Sequence, residues 1–267
     1  MPMQPISNGQ ALQNYTRNFT YDDGGNLYSI QHQGATPRNR NLTVSNASNR
    51  AVVSDLTEKP EEVDSYFDGN GNQKQMWGLQ GITWNYRNNI ASVTVIERQN
   101  APSDCEYYVY NSAGNRVRKV TERYGNGGTV THTEETLYLG SVEIKRIGQN
   151  GTIVEERHTL RVMDDASAVA TRLSWTQGNP PSGVSNPQVR YQLGNHLGSA
   201  TLEVDAAGQI ISYEEYFPYG GTAFVAGRSA SEVKLKQYRY SGKERDSVTG
   251  FYYYGGAVLC ALVGGGG

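Results

Sequence analysis

The chain has 267 residues, of which 37% are hydrophobic and 19% charged, and its 24 basic and 26 acidic side chains leave a net charge of −2. This balance excludes a protein that binds nucleic acid mainly through charge, because such binding needs a basic surface. Glycine (31 residues) and tyrosine (19 residues) stand out. Together they indicate many short strands joined by tight turns, not a helical bundle.

The two cysteines, Cys105 and Cys260, could form at most one disulfide and cannot make a zinc site by themselves. We expect two free thiols. Residues 1–5 lack the charged and apolar regions of a secretory signal peptide. No apolar stretch reaches the roughly 20 residues that a membrane-spanning helix requires. We therefore expect neither a classical signal peptide nor a membrane span.

A six-residue pattern recurs along the chain: an aromatic or apolar residue, Asp or Asn, two variable positions, Gly, then Asn or Gln. It occurs at residues 21–26, 67–72, 110–115 and 204–209, and residues 147–152 form a degenerate copy. The Asp or Asn side chain can accept a hydrogen bond from the backbone two residues later, and glycine takes a positive φ without strain. The pattern therefore predicts hairpin turns at regular spacing, as in a repeat protein.

Other elements are predicted from composition and alternation. Residues 33–50 are polar and residues 177–187 are rich in Pro and Gly, so both are interpreted as surface loops. Residues 54–63 could form one short helical turn, interrupted by Pro60. Polar and apolar residues alternate at 141–145 and 201–204, which is typical of strands.

The sequence offers little for catalysis. It has no nucleophile-elbow motif, and its four histidines are scattered. His196 is interpreted as a hydrogen-bonded structural residue of a tight turn at 194–198. The acidic pairs at 22–23 and 164–165 are too few for a calcium site. Adjacent acids such as Glu214 and Glu215 would lie on opposite faces of a strand and could not share a glycosidic bond. We expect no catalytic, cofactor or metal residues.

The motifs as a set resemble a known family. The six-residue pattern resembles the YD repeat of Rhs proteins. Four stretches resemble the Rhs repeat-associated core: residues 191–199, 213–220, 238–246 and 249–255. Residues 63–68 and 84–88 are similar to the C component of bacterial insecticidal Tc toxin complexes. The resemblance covers residues 15–255.

The resemblance implies an all-β fold in which YD-repeat hairpins form a spiralling, curved antiparallel sheet with very little helix. It further implies a structural role: part of a hollow shell, closed by a B-type YD-repeat component, that encapsulates a toxic C-terminal effector. Such a shell would be secreted as part of a toxin complex. We therefore expect a flexible N-terminus at 1–14, a shell segment at 15–255 and a tail at 256–267.

The tail departs from the family pattern, in which the tyrosine run continues as Ala-Arg-Tyr-Phe-Ala-Pro-Trp-Leu-Gly before a self-cleavage motif and an effector. One permitted set of codons for residues 256–264, read one nucleotide on, encodes Ala-Arg-Tyr-Phe-Ala-Pro-Trp-Leu. We interpret residues 256–267 as a frameshifted, glycine-rich tail of low strand propensity. An unpaired edge at residues 252–254 should then remain and favour self-association, and no fragment should be released.

Two other functions compete with the shell. Repeated strands rich in tyrosine, including residues 252–254, could bind carbohydrate on a cell surface. The family's self-cleaving protease is the third hypothesis, and it is disfavoured because the downstream aspartates are missing from the sequence. A glycan array separates the first two, because a container wall predicts no saturable affinity for sugar.

Overall fold

Antiparallel strands account for most of the chain. The computed structural model describes residues 14–34, 37–76, 78–125, 127–164, 167–255 and 257–260, so predictions for residues 1–13 and 261–267 lie outside it. The all-β class is confirmed. A four-stranded sheet has the order β1-β2-β3-β4. Its strands are β1 (Thr16–Tyr21), β2 (Leu27–Gln33), β3 (Arg38–Val44) and β4 (Ala51–Val53).

A twelve-stranded sheet follows, in which every strand pairs with its neighbours in sequence from β5 to β16. This order is the one that hairpin turns impose, because each turn reverses the chain beside the strand it has just left. The strands are β5 (Gly81–Trp84), β6 (Ile90–Ile96), β7 (Asp104–Tyr110), β8 (Arg116–Tyr124), β9 (Val130–Leu139), β10 (Val142–Gln149), β11 (Thr152–Asp164), β12 (Ser167–Gln177), β13 (Gln188–Gly194), β14 (Ala200–Val204), β15 (Ile210–Tyr216) and β16 (Thr222–Gly227).

The predicted turns are confirmed. At the third copy, the Asn111 carbonyl oxygen accepts a hydrogen bond from the Gly114 N–H at 3.0 Å, and the Asn111 N–H donates to the Asn115 carbonyl oxygen at 2.9 Å. The Asn111 side-chain oxygen also accepts from the Ala113 and Asn115 N–H groups. The glycine of each of the four copies has a positive φ: 78° at Gly25, 88° at Gly71, 80° at Gly114 and 74° at Gly208.

Two further turns follow the same pattern, which the sequence analysis did not assign to them, although it did expect a tight turn at 194–198. The Asn85 and Asn195 side-chain oxygens each accept backbone N–H groups two and four residues later. In the first of them, Asn88 replaces the glycine, with φ 60°. Asparagine tolerates this conformation better than most residues, so the glycine that defined the pattern was not essential. The proposed copy at 147–152 is instead a two-residue turn between the paired residues Gln149 and Thr152.

The prediction of a surface loop over residues 33–50 was wrong in part. Strand β3 lies within it, pairs with both β2 and β4, and buries Leu42. The strand is largely polar, so composition concealed it. Residues beyond β12, at 178–187, do form an irregular loop, as predicted.

The short helix lies later than expected. A 3-10 helix spans Pro60–Tyr66, and Pro60 occupies its first turn instead of interrupting it. The sequence reading also missed α1 (Ala230–Lys234), whose cap is readable as Ser-x-x-Glu: the Ser229 hydroxyl oxygen accepts from the Glu232 N–H at 3.1 Å. Short 3-10 turns lie at Pro218–Gly220 and Tyr240–Gly242.

The expected unpaired tyrosine edge is not observed. Strand β17 (Phe251–Tyr253) pairs with β18 (Val258–Cys260), and Tyr252 is fully buried. The residues of β18 are Val, Leu and Cys, which suit a strand although the tail as a whole is rich in glycine. Cys105 carries a free thiol, as predicted, and the Cys260 side chain lies outside the described part.

Candidate functional site: the covered polar face

One face of the twelve-stranded sheet is covered by the residues that follow it. This cover segment, residues 230–255, runs from β15 back to the start of the sheet. At one end Leu235 packs on Leu173 and Trp175, and at the other Phe251 packs on Ile82 and Val93. Outside these two apolar contacts, the buried face of the sheet carries many polar and charged side chains.

Alternate residues on successive strands form this covered face. Their side chains are charged or hydrogen-bonding although each residue is at most 8% exposed: Glu106, Tyr108, Lys119, Glu143, Arg190, Glu203 and Glu214. Buried charges are costly unless they are paired and hydrogen-bonded. The pairs that satisfy them lie mostly between the sheet and the cover segment.

The first of these clusters joins β8 to the cover segment. Lys119 Nζ lies 2.7 Å from Glu244 Oε1 and 2.6 Å from Asp246 Oδ1. Arg116 reaches the same two carboxylates, at 2.6 Å for Glu244 Oε2 and 3.0 Å for Asp246 Oδ2. Two cations and two carboxylates thus form a closed, alternating group that is nearly inaccessible to water.

Tyrosines complete the first cluster. The Tyr138 hydroxyl donates to Glu244 at 2.8 Å, and the Arg116 guanidinium carbon lies 4.3 Å from the centre of the Tyr253 ring. The Tyr253 hydroxyl also accepts from the backbone N–H of Arg116 at 2.8 Å, which holds the Tyr253 ring beside the guanidinium. These contacts fix the Arg116 side chain in position, because a guanidinium favours both planar hydrogen bonding and an aromatic face.

The electrostatic state of the first cluster follows from its pairing. Burial opposes ionisation of Glu244, but Lys119 and Arg116 outweigh it and hold its pKa at about 2. Glu106 lies on β7 of the same face, and burial raises its pKa because Lys119 compensates only in part. The Glu106 carboxylate accepts from the Tyr108 and Thr121 hydroxyls. The cluster therefore holds its charges through neighbours, not through solvent.

A second cluster joins β15 to the cover segment. Glu214 is fully buried, and its Oε2 lies 2.7 Å from Arg239 Nη1 and 3.1 Å from Lys236 Nζ. Thr222 and Tyr216 donate hydroxyl hydrogen bonds to the same carboxylate. Burial raises the pKa of Glu214, yet the two cations outweigh burial and bring it to about 2.

A third cluster lies under α1. Arg190 Nη2 lies 3.1 Å from Glu203 Oε2 and donates to the Glu232 carbonyl oxygen at 2.8 Å. The Glu232 carboxylate in turn accepts from Gln188 Nε2 at 2.9 Å and from Arg228. The helix is therefore held to the sheet by charge as well as by the apolar contact of its C-terminal neighbour.

The residues considered for catalysis are dispersed in the structure. His196 is exposed, and the side chain that organises its turn belongs to Asn195, not to the histidine. Glu214 faces the cover segment, whereas Glu215 lies on the other face, where its neighbour Tyr213 donates to it. Asp22 caps its turn by accepting from the Asn26 N–H.

The described residues contain no group of three or more His, Cys, Asp or Glu side chains arranged to hold a metal ion. Among the same residues, no helix is both long and apolar enough to cross a membrane. The sequence signal for the first cluster is the charged run Lys-Glu-Arg-Asp at 243–246, which supplies Glu244 and Asp246. The sequence analysis used this run only for its resemblance to the Rhs core and did not predict that its acids are buried.

Comparison with known proteins agrees with this geometry. Residues 35–79 match the family described as the Tripartite Tc toxins repeat. The toxin subunits YenC1 and YenC2 of Yersinia entomophaga are 42% and 38% identical to the chain, over 95% of the chain and 26% of each subunit. The crystal structure of TcdB2-TccC3 superposes with a TM-score of 0.87 at 40% identity, over 94% of this chain and 12% of that one.

The similarity to the YenC subunits and to TccC3 places the chain among the Rhs/YD-repeat proteins. Within that class, the chain is a YD-repeat segment of the Tc toxin C-component type. The chain spans about a quarter of the length of each of the two Yersinia subunits.

Proposed function

We propose that the chain is a wall segment of a hollow shell that encapsulates the toxic C-terminal effector of a Tc-type toxin, with no catalysis of its own. The observation that carries the proposal is the twelve-stranded meander with one face closed by charge clusters, in a fold that matches TccC3 over 94% of the chain. A sheet of this kind is extended by adding hairpins, which suits a wall.

The proposed partner is a B-type YD-repeat component that closes the shell. The match to a structure in which TccC3 occurs with TcdB2 supports this partner. The proposed location follows from the same relationship: the chain would act outside the producing cell, as part of a secreted toxin complex. The charge clusters would hold the cover segment in place, because the carboxylates of Glu203, Glu214, Glu244 and Asp246 each have a cation within 3.1 Å.

The test is a chimera of TcdB2-TccC3 in which residues 15–255 of this chain replace the matching TccC3 segment. We expect the effector of the chimera to be digested by added protease no faster than that of the parent, treated side by side. The matched variant carries Lys119→Met, which breaks the first cluster and should expose the effector to faster digestion. Rapid digestion of the effector in the unmutated chimera would contradict a wall function. Saturable binding of the purified chain on a glycan array would favour the carbohydrate-binding alternative.

A further inference from the structure

One buried arginine on the covered face lies outside the three charge clusters. Arg157, on β11, is 5% exposed, the same exposed fraction as Arg116 of the first cluster. Arg116 has two carboxylates, at 2.6 Å and 3.0 Å. In the described part of the chain no carboxylate oxygen lies within 4.0 Å of Arg157, and its buried Nε–H group has no hydrogen-bond partner there. Arg157 is therefore a buried cation that these residues leave without an ion pair.

Two acids on the neighbouring strands compensate other cations. Glu134, on β9, lies 2.7 Å from Lys145 Nζ, and Glu143, on β10, lies 3.2 Å from Arg161 Nε. In the strand register Lys145 is the residue opposite Arg157, so Arg157 has a second cation beside it. Like charges directly opposite one another destabilise a strand pair. The two acids form neutral pairs, and the charge of Arg157 is left over.

Glu155 is the third acid in this region, and it is engaged elsewhere. It stands two residues before Arg157 on β11, and its Oε1 accepts a hydrogen bond from Trp175 Nε1 at 3.2 Å. Burial lowers the pKa of Arg157, because Glu155 and the other acids compensate its charge only in part. In Arg116 burial is outweighed by the two carboxylates of the first cluster, which raise its pKa.

The surroundings of Arg157 favour a small ligand. Trp175 lies opposite Arg157 on β12, and the guanidinium carbon is 5.7 Å from the centre of its ring. Trp175 forms an apolar cluster with Leu173 and Val184, and Leu235 of the cover segment packs on it. A ligand that reaches a side chain buried to this extent must be of atomic size. A water molecule would satisfy the N–H groups but not the charge, whereas a monovalent anion satisfies both.

We propose that Arg157 is the centre of a buried site for a small monovalent anion with the chemistry of chloride, held between the sheet and the cover segment. The anion supplies the counter-charge that Glu134, Glu143 and Glu155 give to other groups. Because only the folded chain assembles this site, the anion stabilises the fold by mass action.

The experiment measures thermal unfolding of the full chain in sodium chloride and in sodium gluconate at equal ionic strength, so that general screening is the same in both series. Gluconate is too large to enter the site. We expect each tenfold rise in chloride above its dissociation constant to raise the Tm by about 3 to 5 °C. A Tm that does not change when chloride replaces gluconate would overturn the proposal.

Variants locate the site. Arg157→Gln removes the charge and should abolish the rise of the Tm with chloride. Arg172→Gln is the matched control, because Arg172 lies on the neighbouring strand and is exposed, and it should keep the rise of the parent. Glu155→Gln should keep it as well. A rise that persists in Arg157→Gln, or one that appears only in Glu155→Gln, would contradict the site, the latter because Glu155 would then be the counter-ion of Arg157.

Chlorine-35 nuclear magnetic resonance gives a readout that does not depend on stability. Exchange of chloride with a buried protein site broadens its resonance, so the parent and Arg172→Gln should broaden it and Arg157→Gln should do so much less. Equal line widths in the presence of the two variants would overturn the assignment to Arg157.

Discussion

Removing the Lys119 ammonium group is the sharpest perturbation of the covered face. Lys119 Nζ lies 2.6 to 2.7 Å from two carboxylates whose side chains are 1% and 4% exposed. At an effective dielectric constant of about 20, each contact corresponds to about 6 kcal/mol of attraction. The cost of taking each ion out of water, several kcal/mol, offsets most of this. The substitution Lys119→Met keeps an unbranched side chain that is one atom shorter, but it leaves Glu244 and Asp246 undercompensated. It should lower the free energy of unfolding by about 3 to 5 kcal/mol.

Urea denaturation at neutral pH measures the effect, and the control is Arg118→Met on the same strand. Arg118 pairs with Glu135 on the uncovered face and is half exposed, so its loss should cost at most about 1 kcal/mol. The double variant Lys119→Met with Asp246→Asn should be more stable than the sum of its single variants predicts, by about 1 to 3 kcal/mol. Equal costs for Lys119 and Arg118, or additive effects in the double variant, would refute the idea that charge pins the cover segment.

Three further predictions concern the turns, the second cluster and the C-terminal hairpin. Gly114→Val should lower the free energy of unfolding by about 1 to 3 kcal/mol, because a β-branched residue is forced to a positive φ. The cost is one of backbone conformation and not of a clash, since no atom lies within 4 Å of the added Cβ. The control Ala206→Val, at a variable turn position, should cost much less. Glu214 has a pKa near 2 against an ordinary 4.5, so stability should fall as the pH drops from about 4.5 toward 2, on the order of 3 kcal/mol in total. Tyr252→Phe removes a 2.9 Å hydrogen bond to a backbone carbonyl and should cost about 1 kcal/mol, whereas Tyr219→Phe should be neutral.

Thermal and urea unfolding check all three predictions, and each can fail. Equal shifts for the two turn variants would mean that the glycine conformation is not limiting. A Glu214→Gln variant with the same acid sensitivity as the parent would place the acid-sensitive group elsewhere. A Tyr219→Phe variant as unstable as Tyr252→Phe would show that the buried hydroxyl is not what stabilises the hairpin.

The turns could be predicted from sequence because their physics is local. An Asp or Asn that accepts from the next few N–H groups, followed by a glycine free to take a positive φ, determines a hairpin without help from distant residues. The same rule failed where Asn88 replaced the glycine. Strand β3 was missed for a different reason: it has little apolar character, and pairing on both sides holds it.

The covered face could not have been predicted in the same way. Glu106, Lys119 and Glu214 stand at strand positions where alternation marks a buried face, but their charge suggests an exposed one. The ionic partners of Lys119 and Glu214 lie in the cover segment, which for the Lys119 pairs is more than 100 residues away along the chain. Which charges meet is a property of the tertiary fold, and neither periodicity nor composition encodes it. The cap of α1, in contrast, was visible as Ser229-x-x-Glu232 and was overlooked.

The most direct test of the shell account is electron cryomicroscopy of the TcdB2-TccC3 chimera that carries residues 15–255 of this chain. The account predicts a closed, hollow particle in which the twelve-stranded sheet forms part of the wall and the cover segment lies on the face bearing Lys119 and Glu214. A particle that is open at this segment, or in which the segment folds outside the wall, would contradict the account.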